Sequence, residues 1–194
     1  MITLVLGGAR SGKSVVAERL VLAHPGPLAY LATATVLDPD LDTRVEWHRR
    51  RRDPRFATIE VGTALDAALD RLDPVPALVD ALGTWVAGQP EFDGAEPRPG
   101  PAPGADVGEW DERIGRLCAA LARRQAPTVV VSDEVGMGVH PETAVGRRFR
   151  DVLGLVNQRV ADVADEVLLV VAGRALHLDR LGRLPGPDPG AGDR

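Results

Sequence analysis

The stretch "ITLVLGGARSGKS", residues 2–14, decides the fold class. Its first five residues are apolar or β-branched and predict a buried strand, and the residues from Lys13 onward predict a helix. Between them, "GGARSGKS", residues 7–14, satisfies the pattern G-x-x-x-x-G-K-S/T of a phosphate-binding loop. Since the mechanism of this loop requires a strand before it and a helix after it, the sequence predicts a P-loop rather than an ordinary glycine-rich turn.

Each part of this loop has a chemical task. The glycines let backbone N–H groups converge on phosphates at a helix N-terminus, where anions are favoured. Lys13 reaches the β- and γ-phosphate oxygens, and the Ser14 hydroxyl ligates Mg²⁺. The residues predicted to bind nucleotide in this loop are Gly7, Gly8, Ala9, Arg10, Ser11, Gly12, Lys13 and Ser14.

Apolar runs and amphipathic stretches alternate along the rest of the chain. The runs "LAYLAT", "ATIEV", "ALVDAL", "TVVVSD" and "EVLLVVAG" predict strands, most of them without polar alternation and so buried on both faces. The stretches "DLDTRVEWHRRR", "GTALDAALDRL", "VGEWDERIGRLCAALARR" and "PETAVGRRFRDVLGLVNQRVADVA" predict helices. This alternation predicts an α/β, P-loop NTPase-like fold: a mostly parallel sheet with helices on both faces and a C-terminal antiparallel edge hairpin that turns at Gly173. The pattern does not give the strand order.

Composition narrows the class of protein. The chain has 194 residues, 44% of them hydrophobic, with a formal net charge of -5 and 4% aromatic residues. These values are globular and disfavour a nucleic-acid surface built on stacking, so we expect no nucleic-acid partner. Without an apolar run of membrane length or a signal-like start, we expect a cytoplasmic protein with no membrane span. The single cysteine, Cys118, falls on the apolar side of a predicted helix and is expected to be a buried, inert thiol.

The sequence predicts one P-loop domain over residues 1–180. Residues 93–108, "DGAEPRPGPAPGADVG", are rich in Pro, Gly and Ala and are predicted to form a mobile insertion. The tail, residues 181–194, has the same character and is predicted to be disordered.

A P-loop needs a carboxylate at the end of a neighbouring strand to hold the Mg²⁺ shell, and the sequence offers two places for it. Asp80 ends "ALVD", and Asp133 and Glu134 follow "TVVVS". Either carboxylate could instead cap the segment that follows it, since Asp is a common N-cap. The choice between the two places stays open on physical grounds.

Several blocks together resemble one family. They are "GGARSGKS", "YLATATVLD", "RVEWHRRRR", "VDALGTWV" and the run from "EVGMGVHPE" to "VNQRVADVADEVLLVVAG". The chain resembles the bifunctional adenosylcobinamide kinase / adenosylcobinamide-phosphate guanylyltransferase family over residues 1 to about 178, apart from the insertion. The resemblance implies a homotrimer that phosphorylates the aminopropanol hydroxyl of adenosylcobinamide with ATP or GTP. It also implies transfer of GMP from GTP to adenosylcobinamide phosphate through a GMP-histidine intermediate.

The resemblance assigns further residues. The histidine that carries GMP falls on His48, beside four arginines that would otherwise be interpreted as a solvated helix end. An imidazole attacks phosphorus only when it is neutral, and neighbouring guanidinium groups disfavour its protonated form while they attract a triphosphate. Asp80 is assigned to the GTP site and, with Ser14, to Mg²⁺. The GTP-site residues implied outside the P-loop are Thr33, Ala34, Thr35, Arg49, Arg50, Arg51, Arg52, Glu60 and Asp80.

The sequence also departs from the family pattern. Asp133 stands where the family usually has Asn, Asp53 where it has Pro, and Gly88 where it has Asn. Asp133 adds negative charge near the expected phosphate site. The alternative from another class is a regulatory P-loop protein that switches with its nucleotide, but the sequence shows no switch elements for it.

Overall fold

The computed structural model describes residues 1–34, 53–92 and 107–178. The strands are β1 (Ile2–Gly7), β2 (Leu28–Ala32), β3 (Phe56–Glu60), β4 (Ala77–Asp80), β5 (Thr128–Asp133), β6 (Glu166–Val171) and β7 (Arg174–His177). The helices are α1 (Lys13–Leu22), α2 (Leu65–Arg71), α3 (Leu82–Ala87), α4 (Val107–Arg123) and α5 (Ala144–Val163), with a 3-10 turn at Pro90–Phe92. Within these residues, no helix has the length and apolar character needed to cross a membrane.

All seven strands form one sheet in the order β3-β2-β4-β5-β1-β6-β7. Every neighbouring pair is parallel except β6 and β7, which run antiparallel with Leu168 opposite His177. The turn between them passes through Ala172 and Gly173, both in the left-handed region with φ of 50° and 72°. The predicted mostly parallel sheet and its C-terminal edge hairpin are therefore confirmed.

Both faces of the sheet are covered, as the apolar strands predict. On β1, Leu4 joins the core cluster beneath α2, α3, α4 and α5, whereas Val5 joins a second cluster with Ala17 and Val21 of α1. Leu4 and Val5 are both fully buried because successive side chains of a strand point to opposite faces. Among the described helices, α1 packs on one face of the sheet and the other four pack on the opposite face.

Two sequence predictions were wrong in their bounds. The strand predicted for "ALVDAL" ends at Asp80, and Leu82 already begins helix α3, which the sequence analysis missed. A helix of six residues is too short to show a 3.6-residue period, so it was absorbed into the apolar run. Val107, counted in the predicted insertion as well as in a helix, is helical. The rest of the insertion, the tail and the predicted helix "DLDTRVEWHRRR" lie outside the described residues.

Cys118 is half-buried on α4, and its Sγ donates to the carbonyl oxygen of Arg159 on α5 at 3.4 Å. Burial raises the pKa of this thiol. Because the thiolate is the reactive form, a raised pKa fits the inert thiol expected from the sequence, but the side chain is half-buried and not buried as predicted.

Candidate nucleotide site

The P-loop, residues 7–14, joins the end of β1 to the start of α1, and two of its glycines are required for different reasons. Gly12 has φ of 96°, a backbone conformation that residues with a Cβ rarely adopt. Gly7 has no room for a side chain, because an added Cβ would lie 2.5 Å from the Ser11 Oγ and 2.7 Å from the Val170 carbonyl oxygen. Backbone conformation fixes the first glycine and close packing fixes the second.

Hydrogen bonds between neighbouring residues of the loop hold its curvature. The Ser11 N–H donates to the Gly8 carbonyl oxygen at 3.2 Å, and the Lys13 N–H donates to the Ser11 Oγ at 3.3 Å. The Lys13 ammonium group donates to the same Gly8 carbonyl oxygen at 3.4 Å. Gly8, Ala9 and Arg10 are exposed, so the loop presents an open surface at the N-terminus of α1, where anions bind favourably.

The turn between β6 and β7 supports the P-loop from the other side. The Gly173 N–H donates to the Ser11 carbonyl oxygen at 2.7 Å. An added Cβ on Gly12 would lie 3.2 Å from the Gly173 Cα, so the two backbones touch. Sequence reasoning assigned Gly173 only to a hairpin turn and missed this contact, because residues 12 and 173 are distant in the chain.

Asp133 lies beside the P-loop. Strand β5 pairs with β1, and Asp133 stands opposite Gly7 at the end of both strands. Its Oδ1 lies 2.8 Å from the Lys13 Nζ, with the lysine side chain 14% exposed and the aspartate 35% exposed. The structure therefore places one of the two carboxylates left open by the sequence directly on the P-loop lysine.

The backbone around Asp133 is fastened from two sides. Asn157 of α5 is buried, accepts a hydrogen bond from the Ser132 hydroxyl at 2.6 Å and donates to the Asp133 carbonyl oxygen at 3.1 Å. The Glu134 N–H donates to the Gly7 carbonyl oxygen at 3.2 Å. Asn157 is not among the residues predicted from the sequence, although a polar amide on an otherwise apolar helix face indicates a buried hydrogen bond.

Asp80 occupies a more distant position at the same sheet edge. It ends β4, which lies on the far side of β5 from β1, so two strand spacings of about 10 Å in all separate it from the P-loop strand. Its carboxylate accepts a hydrogen bond from the Tyr30 hydroxyl. The two carboxylates thus have different partners: a lysine for Asp133 and a tyrosine for Asp80.

Thr33 is fully buried just after β2. Its hydroxyl accepts from the Ala81 N–H at 2.8 Å, donates to the Ala81 carbonyl oxygen at 2.6 Å and lies 2.6 Å from the Thr84 hydroxyl oxygen. This network holds the turn from β4 into α3. The Thr33 N–H also donates to the Asp80 carbonyl oxygen at 3.2 Å, so Thr33 holds this turn through its backbone as well. Ala34, the next residue, is half-buried.

Glu60 ends β3 at the far side of the same edge and is exposed. Four strand spacings, about 19 Å, separate its strand from the P-loop strand. The described site residues therefore lie along the carboxyl edge of the sheet, that is, the side where the parallel strands end. Ligands of open α/β sheets bind on this side. The remaining predicted site residues, Thr35, His48, Arg49, Arg50, Arg51 and Arg52, lie outside the described residues.

A P-loop at the carboxyl edge of a mostly parallel sheet, with a carboxylate paired to its lysine, defines a P-loop nucleotide-binding protein. Residues 3–178 match the CobU family, described as cobinamide kinase / cobinamide phosphate guanyltransferase. The chain belongs to this family, which confirms the resemblance seen in its motifs and makes it an enzyme.

Three relatives support the same assignment. The chain is 41% identical over 184 residues to the bifunctional adenosylcobalamin biosynthesis protein CobU of Salmonella typhimurium, covering 89% of this chain and 97% of the relative. It is 37% identical over 183 residues to CobU of Escherichia coli, with the same coverage. It is 33% identical over 177 residues to the bifunctional adenosylcobalamin biosynthesis protein CobP of Pseudomonas aeruginosa, covering 90% of this chain and 95% of the relative. The match over nearly the whole of each relative favours a transferase of cobalamin biosynthesis over a regulatory switch protein.

Among solved structures, the protein PH0250 of Pyrococcus horikoshii OT3 superposes with a TM-score of 0.50 at 9% identity. The superposition covers 91% of this chain and 84% of that protein. At this identity the likeness concerns the fold alone.

Proposed function

We propose that this chain carries out two successive transfers to one acceptor. In the first, ATP or GTP phosphorylates the aminopropanol hydroxyl of adenosylcobinamide. In the second, GMP from GTP is joined to the adenosylcobinamide phosphate, which gives adenosyl-GDP-cobinamide and releases pyrophosphate. The observation that carries the proposal is a complete P-loop, with Lys13 at its centre, in a chain whose family is defined by both activities.

The P-loop supplies most of what phosphoryl transfer requires. Such reactions depend on positioning and on stabilisation of charge spread over the phosphate oxygens. The open loop surface at Gly8, Ala9 and Arg10 provides backbone N–H groups, and Lys13 provides a cation whose partners are one carboxylate and one carbonyl oxygen. A phosphate can replace these partners because they contact the ammonium group at only two oxygen atoms.

The residues present fit Mg²⁺ as the accompanying ion. The donors near the loop are oxygen atoms, and the described residues contain no group of three or more His, Cys, Asp or Glu side chains that could hold a metal by themselves. Mg²⁺ suits such a site, because it is usually bound through one or two protein oxygens together with water and phosphates. When bound, it neutralises charge on the β- and γ-phosphates. Ser14 and Asp80 are the proposed protein contacts, and Asp133 adds a carboxylate one strand closer to the loop.

The second transfer is proposed to pass through His48. The neutral imidazole attacks the α-phosphorus of GTP, a P–N bond forms, and pyrophosphate leaves. A phosphate oxygen of the acceptor then attacks the same phosphorus, the P–N bond breaks, and the free imidazole is restored. Arg49, Arg50, Arg51 and Arg52 are proposed to attract the triphosphate and to disfavour the protonated imidazole.

The family resemblance also supports a homotrimer. The cytoplasmic location and the lack of a nucleic-acid partner remain predictions from the sequence composition. Light scattering tests the assembly, since a trimer has three times the mass of the chain. A salt-independent lack of DNA and RNA binding is expected, because a short arginine run on a chain of net charge -5 makes a weak electrostatic footprint.

Labelling of the protein tests the proposed function most directly. Incubation with α-labelled GTP and Mg²⁺ is expected to label the chain, and the label should be lost in mild acid and retained in alkali, as for a phosphoramidate. His48→Ala should not be labelled, yet should keep phosphorylating adenosylcobinamide. His140→Ala is the matched control. His140 is an exposed histidine that follows β5 and also lies beside an arginine, with its Nδ1 2.8 Å from the Arg150 Nη1. This control should be labelled like the parent protein.

Two outcomes would contradict the proposal. An acid-resistant label, or equal labelling of the parent and His48→Ala proteins, would assign the covalent step to another residue. Absence of phosphoryl transfer to adenosylcobinamide from either ATP or GTP would remove the first activity.

A further inference from the structure

The Lys13–Asp133 pair places a negative charge where a nucleotide phosphate must come. The 2.8 Å separation joins the P-loop ammonium group to a carboxylate on the adjacent strand. The register that puts Asp133 opposite Gly7 fixes the backbone position of this carboxylate relative to the loop. A phosphate that approaches Lys13 therefore also approaches Asp133.

Packing restricts where the Asp133 carboxylate can go. An added Cβ on Gly83, in the first turn of α3, would lie 2.5 Å from the Asp133 Oδ2. One oxygen thus faces Lys13 and the other lies against α3. The hydrogen bonds of the Asp133 carbonyl oxygen to Asn157 and of the Glu134 N–H to Gly7 hold the backbone on both sides of the residue.

The neighbouring carboxylates have other partners. The Glu134 Oε1 accepts a hydrogen bond from the Gly136 N–H at 2.8 Å, and Asp80 accepts one from the Tyr30 hydroxyl. In the part of the chain that the structure describes, Asp133 is the carboxylate that pairs with Lys13. The effect of the negative charge beside Lys13 can therefore be tested by changing Asp133.

We infer that Asp133 couples nucleotide binding to a divalent cation in this chain. Without the cation, the carboxylate repels the triphosphate and, by pairing with Lys13, partly neutralises the charge that would attract the phosphates. With a cation between carboxylate and phosphates, the same charge becomes attractive, because like charges that share a counter-ion no longer repel. The inference rests on the proposed nucleotide site. With an uncharged side chain in place of Asp133, nucleotide binding would depend less on the divalent cation.

Equilibrium binding measures this coupling without any reaction. The probe is α,β-methylene GTP, which cannot lose GMP, titrated by calorimetry into the full chain with Mg²⁺ and again with EDTA. Coupling between two ligands is commonly 5–150-fold in affinity, and we expect Mg²⁺ to tighten binding about 100-fold in the parent protein. In Asp133→Asn the ratio should fall to about tenfold, mainly because binding in EDTA becomes tighter.

Three further variants make the result specific. Glu134→Gln removes the same charge one residue away and should keep the parent ratio. Asp80→Asn tests the carboxylate two strand spacings from the P-loop strand and should reduce the ratio less than Asp133→Asn does. Asp133→Ser provides a second uncharged variant, and thermal unfolding without nucleotide identifies any variant that fails to fold.

The outcomes separate the inference from the proposed function. Failure of the parent protein to bind the analogue in Mg²⁺ would contradict the proposed nucleotide site itself. Tight binding with an unchanged ratio in both folded Asp133 variants would overturn the inference alone. An equal loss of the ratio in Glu134→Gln would also overturn it, because the effect would then be one of general charge.

Discussion

Two partly buried cations lie at opposite ends of the strands: Arg124 at the amino edge of the sheet, where the parallel strands begin, and Lys13 at the carboxyl edge, where they end. Comparison of the two explains why one stabilises the fold and the other can bind a ligand. At the amino edge, Arg124 donates to the carbonyl oxygens of Leu72, Asp73 and Val75 at 3.0, 3.1 and 2.7 Å and to the Thr128 hydroxyl at 3.3 Å. Burial lowers the pKa of this guanidinium group. Its donors are engaged by fixed acceptors, so it joins the segment before β4 to the start of β5.

At the carboxyl edge, Lys13 has one carboxylate partner at 2.8 Å and one carbonyl partner at 3.4 Å. The second distance is at the long end for a hydrogen bond, so the ammonium group is held mainly by Asp133. A cation held by backbone acceptors contributes to stability, whereas a cation held by a single side chain can exchange that partner for phosphate. This difference predicts distinct effects for substitutions at the two sites.

Lys13→Ala should abolish both proposed activities. One P-loop serves every triphosphate, so the loss of its oriented cation should reduce kcat/KM about 10³-fold or more for each transfer. The unfolding temperature should change little, because the Asp133 carboxylate left behind is 35% exposed and can be hydrated. Steady-state kinetics and thermal unfolding measure the two effects. Full guanylylation by this variant would show that a second nucleotide site exists.

Arg124→Met should have the opposite profile. The change leaves three carbonyl oxygens without their donor and should cost about 2 kcal/mol of unfolding free energy, measured by urea denaturation. Nucleotide affinity should be unaffected, because the residue lies at the other edge of the sheet. Arg123→Met is the control: its pairing with Asp70 is exposed, at 60% and 44% of the two side chains, and should contribute little. A weakened nucleotide affinity in Arg124→Met would contradict the claim that Arg124 contributes only to stability.

Gly173→Ala should produce a smaller change that is confined to the carboxyl edge. A residue with a Cβ at φ of 72° should lower the free energy of unfolding by about 1 kcal/mol. A shift of this turn should also disturb the hydrogen bond from the residue 173 N–H to the Ser11 carbonyl oxygen. Nucleotide affinity should fall by up to about fivefold. Gly26→Ala is matched to it, because Gly26 has φ of 80° and open space around its Cα but lies before β2 at the amino edge. Equal loss of affinity in both variants would mean that global stability, not support of the P-loop, is responsible.

Replacement of residues 93–105 by Gly-Ser-Gly should have the smallest effect. Their composition predicts no contribution to the core, and a shorter connection should shift the unfolding free energy by no more than about 1 kcal/mol. The flanking residues can accommodate the change, since the Phe92 and Trp110 rings pack with centroids 6.2 Å apart. A drop of many degrees in the unfolding midpoint would show that the segment packs against the protein or a neighbouring subunit.

The sequence predicted the fold in the places where the local signal is strong. The central strands are continuous apolar runs, and the P-loop is a fixed pattern between a strand and a helix, so both could be located without tertiary information. Helix α3 was missed because it spans less than two turns. The site was predicted less evenly: the P-loop residues come from the pattern, whereas Thr33 and Glu60 entered through the family resemblance.

The P-loop, the family and the alternation of strands and helices, apart from helix α3, can be predicted from the sequence alone. Which side chains meet at the loop was decided by the tertiary structure. Asp80 and Asp133 both end apolar strands, and no local pattern distinguishes them. The order β4-β5-β1 puts Asp133 next to Lys13 and Asp80 one strand further away. The support of the P-loop by Gly173 likewise depends on the pairing of β1 with β6. Strand order follows from which apolar faces pack together across the whole chain, and such long-range packing leaves no trace in the spacing of neighbouring residues.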